Sequence, residues 1–150
     1  MIDLRVPVLM LCAGLGASAV AQTPDLSNAW VRAMPPTQRM TAAYLQLSNS
    51  GVEAISILGV SSDAGAASLH ETRLEDGRST MRPVESLVIE PGDTIVMAPG
   101  AMHIMLMGLQ KTPAEGETVP ICLQTSGGEV CTQAQVRRAA PDASGGHDHH

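Results

Sequence analysis

An all-β sandwich or barrel is the fold class this chain of 150 residues predicts, and three observations carry it. Apolar and polar residues alternate in short runs rather than at a helical period. Turn signals built on Gly, Pro, Asn and Asp recur about every eight to twelve residues. No stretch sustains a long helical pattern, which removes α/β folds. The length suits one domain with its own core. Composition agrees: the chain is 44% hydrophobic and 16% charged, with 14 Gly and 10 Pro, as expected of a turn-rich β protein. Phe is absent and the aromatics are Trp30 and Tyr44 alone. The core must therefore be aliphatic, with Met as an adaptable filler.

The N-terminus reads as an export signal over residues 1–21. Arg5 and the terminal amine form a thin positive region, and an apolar run follows from Val6 to about Val20. That run is shorter than the ~20 residues a membrane span needs. Ala19-Val20-Ala21 offers small residues where a signal peptidase reads, placing the cut before Gln22. Cys12 follows Leu11 inside the apolar run, a poor context for a lipid-modified cysteine. No later segment is apolar enough to span a membrane. The expected product is one exported, periplasmic domain over residues 22–140, monomeric, with a tail over residues 141–150.

Within the domain, Ala29 to Arg32 reads as a strand ended by Met34-Pro35-Pro36, and Thr41 to Leu47 as a second, ended by Asn49-Ser50-Gly51. Ala54 to Val60 is a third. Ala67 to Thr72 is a fourth, and Glu75-Asp76-Gly77 turns it into a return strand holding Met81 and Arg82. Leu87 to Ile89 leads into Pro91-Gly92-Asp93, and Thr94 to Met97 follows. Pro99-Gly100 turns the chain into Met102 to Leu106, and a last hairpin runs from Val119 to Val136. The sum is about nine short strands.

Loss of Cys12 with the signal leaves Cys122 and Cys131, in an oxidising compartment. If Ser126-Gly127 is the hairpin loop, the two cysteines face each other at a close pair, within disulfide range. If Gly127-Gly128 is the loop, they are diagonal and bridging is harder. The expectation is a cross-strand disulfide.

A formal charge of −6 with nine Lys plus Arg argues against a nucleic-acid partner. The chemistry concentrates between Leu69 and Met107. Ten residues separate His70 from Met81, twenty-one separate Met81 from His103, and one separates His103 from Met105. Residues two apart on a strand leave the same face, so His103 and Met105 converge while Met102, Ile104 and Leu106 point into the core. Two imidazoles and two thioethers make a donor set that favours Cu(I) over hard cations. Taken singly, a Met on a strand is usually core, and a lone His is usually a hydrogen-bonded surface residue. Jointly, a chance match to all four positions is on the order of 10⁻³. The remaining histidines, His147, His149 and His150, lie in the tail. With Asp148 they suit Cu(II), Zn or Ni, with affinity lost as imidazoles protonate near ~6.5.

This H-x10-M-x21-H-x-M spacing resembles the signature of the PCuAC-type periplasmic copper chaperones. The likeness extends over Asn28 to Arg32, Ala43-Tyr44-Leu45 with Asn49, Leu69 to Thr72, Glu75 to Gly77, Met81 to Val84, Pro91 to Asp93, and Pro99 to Leu109. It implies a cupredoxin-like Greek-key β-sandwich that is not an enzyme, binds Cu(I) through His70, Met81, His103 and Met105, and passes it on. The implied recipient is an oxidase copper-centre subunit or a Sco-type thiol chaperone. A copper storage or resistance buffer on the same scaffold is the alternative. An electron-transfer cupredoxin is disfavoured, because no His follows Cys131 until His147. Where relatives carry extra Met in the first hairpin, this chain has Arg73, Leu74, Arg78, Ser79 and Thr80. Arg73 and Arg78 place positive charge near the site, suited to an acidic docking partner. Glu71 reads as a surface residue, and Met34, Met40 and Met107 as packing or surface rather than outer landing points.

Overall fold

The computed structural model describes residues 22–139. The expected signal segment and the tail histidines His147, His149 and His150 lie outside the described residues. Ten strands and no helix occur among the described residues: β1 (Asp25–Arg32), β2 (Met40–Ser48), β3 (Ile55–Ser61), β4 (Ala66–Glu75), β5 (Arg78–Pro83), β6 (Leu87–Ile89), β7 (Thr94–Val96), β8 (Met102–Met107), β9 (Thr118–Thr125) and β10 (Gly128–Arg137). The count exceeds the expected nine by one. The first strand also begins earlier than the polar lead suggested. Asp25, Leu26 and Ser27 already pair with Ser48, Leu47 and Gln46, and a bulge then intervenes before Trp30 meets Tyr44. Asn28 sits in that bulge at φ 51°, a conformation Asn tolerates better than most residues.

The strands form one hydrogen-bonded path, β5-β4-β8-β2-β1-β10-β9-β3-β6, with β7 also on β2. β1 and β10 run parallel; the other pairs are antiparallel. The path folds over on itself into two layers. One core joins Val31, Leu45, Ile104 and Leu106 of the first layer to Ile57, Ile121, Leu123 and Val136 of the second. Alternation sorts these strands: on β8, Ile104 and Leu106 are fully buried, and Met102 packs against them.

Two turns do most to place the side chains of interest. Asp76 and Gly77 both have positive φ (50° and 75°), the requirement of a two-residue type I′ hairpin loop. They close β4 onto β5 in the register that sets Thr72 opposite Met81 and His70 opposite Pro83. Between β7 and β8, the Ala101 N–H donates to the Ala98 carbonyl at 3.0 Å. Pro99 followed by Gly100 at φ 81° fits a type II turn. This turn lifts the chain off β2, which pairs with β7 through Gln46–Ser48 and with β8 through Met40–Ala43.

In the last hairpin, Thr125 pairs with Gly128, so Ser126 and Gly127 are the loop and Cys122 lies directly opposite Cys131. Their sulfurs are 2.04 Å apart with Cα atoms at 4.0 Å. Replacing both cysteines with Ser should lower stability by about 2–3 kcal/mol at most, the chain-entropy value for a loop this short. The measurement is the urea midpoint; a midpoint unchanged from the parent would mean the turn alone holds the hairpin closed.

Candidate metal centre

His70, His103, Tyr44 and Trp30 form a row across four adjacent strands, on the face opposite to Leu69, Ile104, Ala43 and Val31. His70 pairs with His103 in the β4–β8 register, and Tyr44 pairs with Trp30 in the β2–β1 register. Ring centroids lie 6.1 Å apart for His70–His103, 6.4 Å for His103–Tyr44 and 4.5 Å for Tyr44–Trp30. Both aromatics of the chain thus wall one side of the histidine pair, a use that their scarcity alone did not reveal. One row along, Met105 stands between Ser68 on β4 and Ala42 on β2. Small neighbours on both sides leave an opening beside its thioether.

That opening is a cleft of about 250 Å³ whose lining includes His103, Met105, Met81, Tyr44 and Thr72. Met81 reaches it from β5, one strand beyond β4, and remains 61% exposed. His70 stacks beside the His103 ring but is not part of the cleft lining. The structure therefore brings His103, Met81 and Met105 to one cavity and sets His70 at its edge, against His103.

His103 is buried and fixed from one side. Only 4% of the residue is exposed. Its Nδ1 lies 3.0 Å from the Ala101 carbonyl, and that carbonyl also accepts the Thr72 N–H at 3.2 Å. A carbonyl can only accept, so Nδ1 carries the ring proton and Nε2 keeps its lone pair. Nε2 is buried and has no hydrogen-bond partner. Leaving a buried acceptor unmade costs about 1–3 kcal/mol, and fixing the far nitrogen on a carbonyl is the usual support of a metal-bound imidazole. His70 is held more loosely, its Nδ1 3.4 Å from Ser68 Oγ and 3.5 Å from the Ser68 carbonyl.

The set contains no carboxylate and no thiolate. Burial pushes the Tyr44 phenol above its ordinary value, against the opposing pull of Arg32, so Tyr44 adds no phenolate. Arg32 sits 5.9 Å over the Tyr44 ring and lines the cleft. Two thioethers and two imidazoles with no carboxylate among them fit a soft, low-charge cation and fit hard divalent ions poorly.

The expected positive charge of Arg73 and Arg78 at the site is corrected. Thr72 and Met81 face the cleft side, so the neighbouring odd positions on β4 and even positions on β5 face the reverse side. There Arg73 pairs with Glu71 at 2.7 Å and Arg82 with Glu75 at 2.8 Å. The Arg82 hydrogen bond holds Glu75 below the usual carboxylate value. Its contribution is present above the ordinary Glu range and is lost as pH falls through the lowered value; both partners are exposed and screened. Met34 and Met40, read from the sequence as packing or surface, both line the cleft, whereas Met107 does not. The loop carrying Met34 has no periodic pattern by which its route could be foreseen. One further cluster of potential ligands, Cys122, Glu129 and Cys131, has its sulfurs joined to each other and offers no thiolate.

Residues 25–136 match the LpqE-like family, a family described as lipoproteins. The chain belongs to the LpqE-like family. A protein of Leifsonia xyli subsp. xyli, also described as a lipoprotein, is 36% identical over 121 residues, spanning 75% of this chain and 72% of its own. The LpqE-like chain has the fold of solved PCuAC domains. The copper-bound PCuAC domain from PmoF2 matches with a TM-score of 0.65 at 21% identity, over 79% of this chain and 96% of that domain. DR1885 from Deinococcus radiodurans matches in its Cu(I) form with a TM-score of 0.62 at 32% identity, over 83% of each chain. Its apo form gives 0.61 at 30% identity, over 93% of this chain and 95% of that one. Among the described residues of this LpqE-like chain, no helix is long and apolar enough to cross a membrane.

Proposed function

We propose that this protein is an exported copper chaperone that holds Cu(I) at His70, Met81, His103 and Met105 and releases it to a recipient protein. The observation that carries the reading is the His103 Nε2 lone pair, buried without a partner on a residue that shares its cleft with Met81 and Met105. A core histidine would have found a donor there; a metal ligand leaves the position open for its ion. The Cu(I) and copper-bound forms of the structural neighbours support the same cargo. Met81, at the exposed edge, is the ligand a recipient can replace first, since thioether exchange involves no proton. The recipient is an oxidase copper-centre subunit or a thiol chaperone that serves one, in the periplasm. The family's lipoprotein description supports export.

The test is an anaerobic Cu(I) titration against a chromogenic chelator, run beside a Met81→Ala/Met105→Ala double variant. Tight one-to-one binding that the double variant loses is the expected result. Equal binding in both would reduce the four-residue spacing to packing and sink the reading.

The tail is a separate proposal, made from sequence because it lies outside the described residues. His147, His149 and His150 take Cu(II) weakly beside the Cu(I) site. Deleting residues 145–150 should remove Cu(II) binding and leave Cu(I) binding intact, as read by isothermal calorimetry. Cu(II) affinity that survived the deletion would refute it.

A further inference from the structure

The cleft has a second wall of thioethers that the four-residue set does not use. Met34 lies in the loop after β1, Met40 opens β2, and both line the cleft with Met105. Register places Met40 close to Met105. Met105 is opposite Ala42 and Met40 is opposite Met107, so Met40 and Met105 are diagonal neighbours on one face. Such neighbours are about 7–8 Å apart along the backbone, a separation that long side chains bridge. Ala42 lies between them with only a methyl group, which leaves that space open. Core filling does not account for Met40, because half of it is exposed. The cleft, at about 250 Å³, is several times the ~30 Å³ share of one water. Its lining extends past His103 to Met34 and Met40.

We propose that Met34, Met40 and Met105 form an outer, all-thioether position for a soft monovalent cation, Cu(I) or Ag(I), sharing Met105 with the inner site. The proposal rests on the copper reading of that inner site. Three neutral sulfurs satisfy a d¹⁰ monovalent ion with little directional demand. Lacking imidazole, the outer set binds more weakly than the inner one. It also lies beside the Arg32 guanidinium, which lines the same cleft, and beside the inner ion once that is bound, so like-charge repulsion weakens it further. Sharing Met105 lets an ion pass between the two positions by exchanging one ligand at a time, with no fully uncoordinated stage.

The experiment is an Ag(I) titration of the protein in chloride-free buffer, followed through ¹³C-labelled methionine methyl signals. Met97 and Met102, buried or packed against the core, serve as internal controls. The methyls of Met81 and Met105 are expected to shift over the first equivalent. Those of Met34 and Met40 shift over a second, with a dissociation constant about tenfold weaker or more. Tail histidines carry no methyl and do not enter the readout. In a Met34→Leu/Met40→Leu variant, which conserves volume, the first phase remains and the second disappears. Met34 and Met40 signals that stay still through two equivalents would overturn the outer position and leave the inner one standing. So would a shift of all four methyls together in the first equivalent, which would make one larger site. If Met81 and Met105 stay still as well, the copper reading itself has failed.

Discussion

His103→Ala should weaken Cu(I) binding by about two orders of magnitude or more, roughly 3 kcal/mol, while the apo protein stays folded. The two halves of this expectation have separate causes. The ring supplies the one buried donor whose other nitrogen is fixed, through the Ala101 carbonyl, in the tautomer that ligates. For the apo protein, alanine removes the ring's packing beside Tyr44 and His70 and its hydrogen bond to the Ala101 carbonyl, but also removes a buried nitrogen that had no partner. These changes oppose each other, so unfolding without copper should move little. His70→Ala should cost less copper affinity than His103→Ala, because His70 is loosely held at the edge of the cleft. Glu71→Ala, on the reverse face beside Arg73, should leave affinity unchanged. Chelator competition ranks the three, and thermal unfolding with and without Cu(I) checks them through linkage, since the ligand-dependent rise in midpoint scales with affinity. A His103→Ala protein that kept the full copper-dependent rise would show that the cleft's thioethers act without the imidazole.

What could be read in the sequence was what local rules govern. Alternation put His103 and Met105 on one face of their strand. Asp76-Gly77 announced the hairpin that brings Met81 back past His70. Ser126-Gly127 was one of two loops that could close the cysteine hairpin, and the structure uses it. Adjacency between distant strands was not readable. β4 lies beside β8, and β1 runs parallel to β10, because the layers close over a shared core; no short-range signal records that. Met34 and Met40 belong to the cleft for the same reason, since Met40 comes beside Met105 only when β2 pairs with β8. The placement of Arg73 and Arg78 was a different kind of miss. Strand parity alone sets both opposite to the face of His70, Thr72 and Met81, so charge near the site in sequence became charge behind it in space. The early start of β1 was hidden by the Asn28 bulge, which breaks the alternation on which strand assignment depends.

Leu106→Ala should destabilise the fold by about 3 kcal/mol, within the 2–5 kcal/mol typical of a buried leucine truncation, and leave Cu(I) stoichiometry intact. Leu106 has no exposed surface and belongs to the shared core. Its strand is central in its layer, with β4 on one edge and β2 on the other, so neither edge can relax freely into the gap. The core has no Phe to lean into the cavity. Met97 belongs to that core and Met102 packs against it, and both are adaptable fillers, which argues against the top of the range. In urea the loss appears as a lower midpoint with an unchanged slope. Met105→Ala, one residue earlier on the same strand, should do the reverse: a small change in midpoint and a large loss of Cu(I) affinity. The contrast tests whether one strand carries two independent duties on its two faces. If Leu106→Ala also lost copper while still folded, the ligand geometry would depend on core packing. The cleft would then be set by the sandwich interior rather than by the Ala98–Ala101 turn and the β4–β8 register.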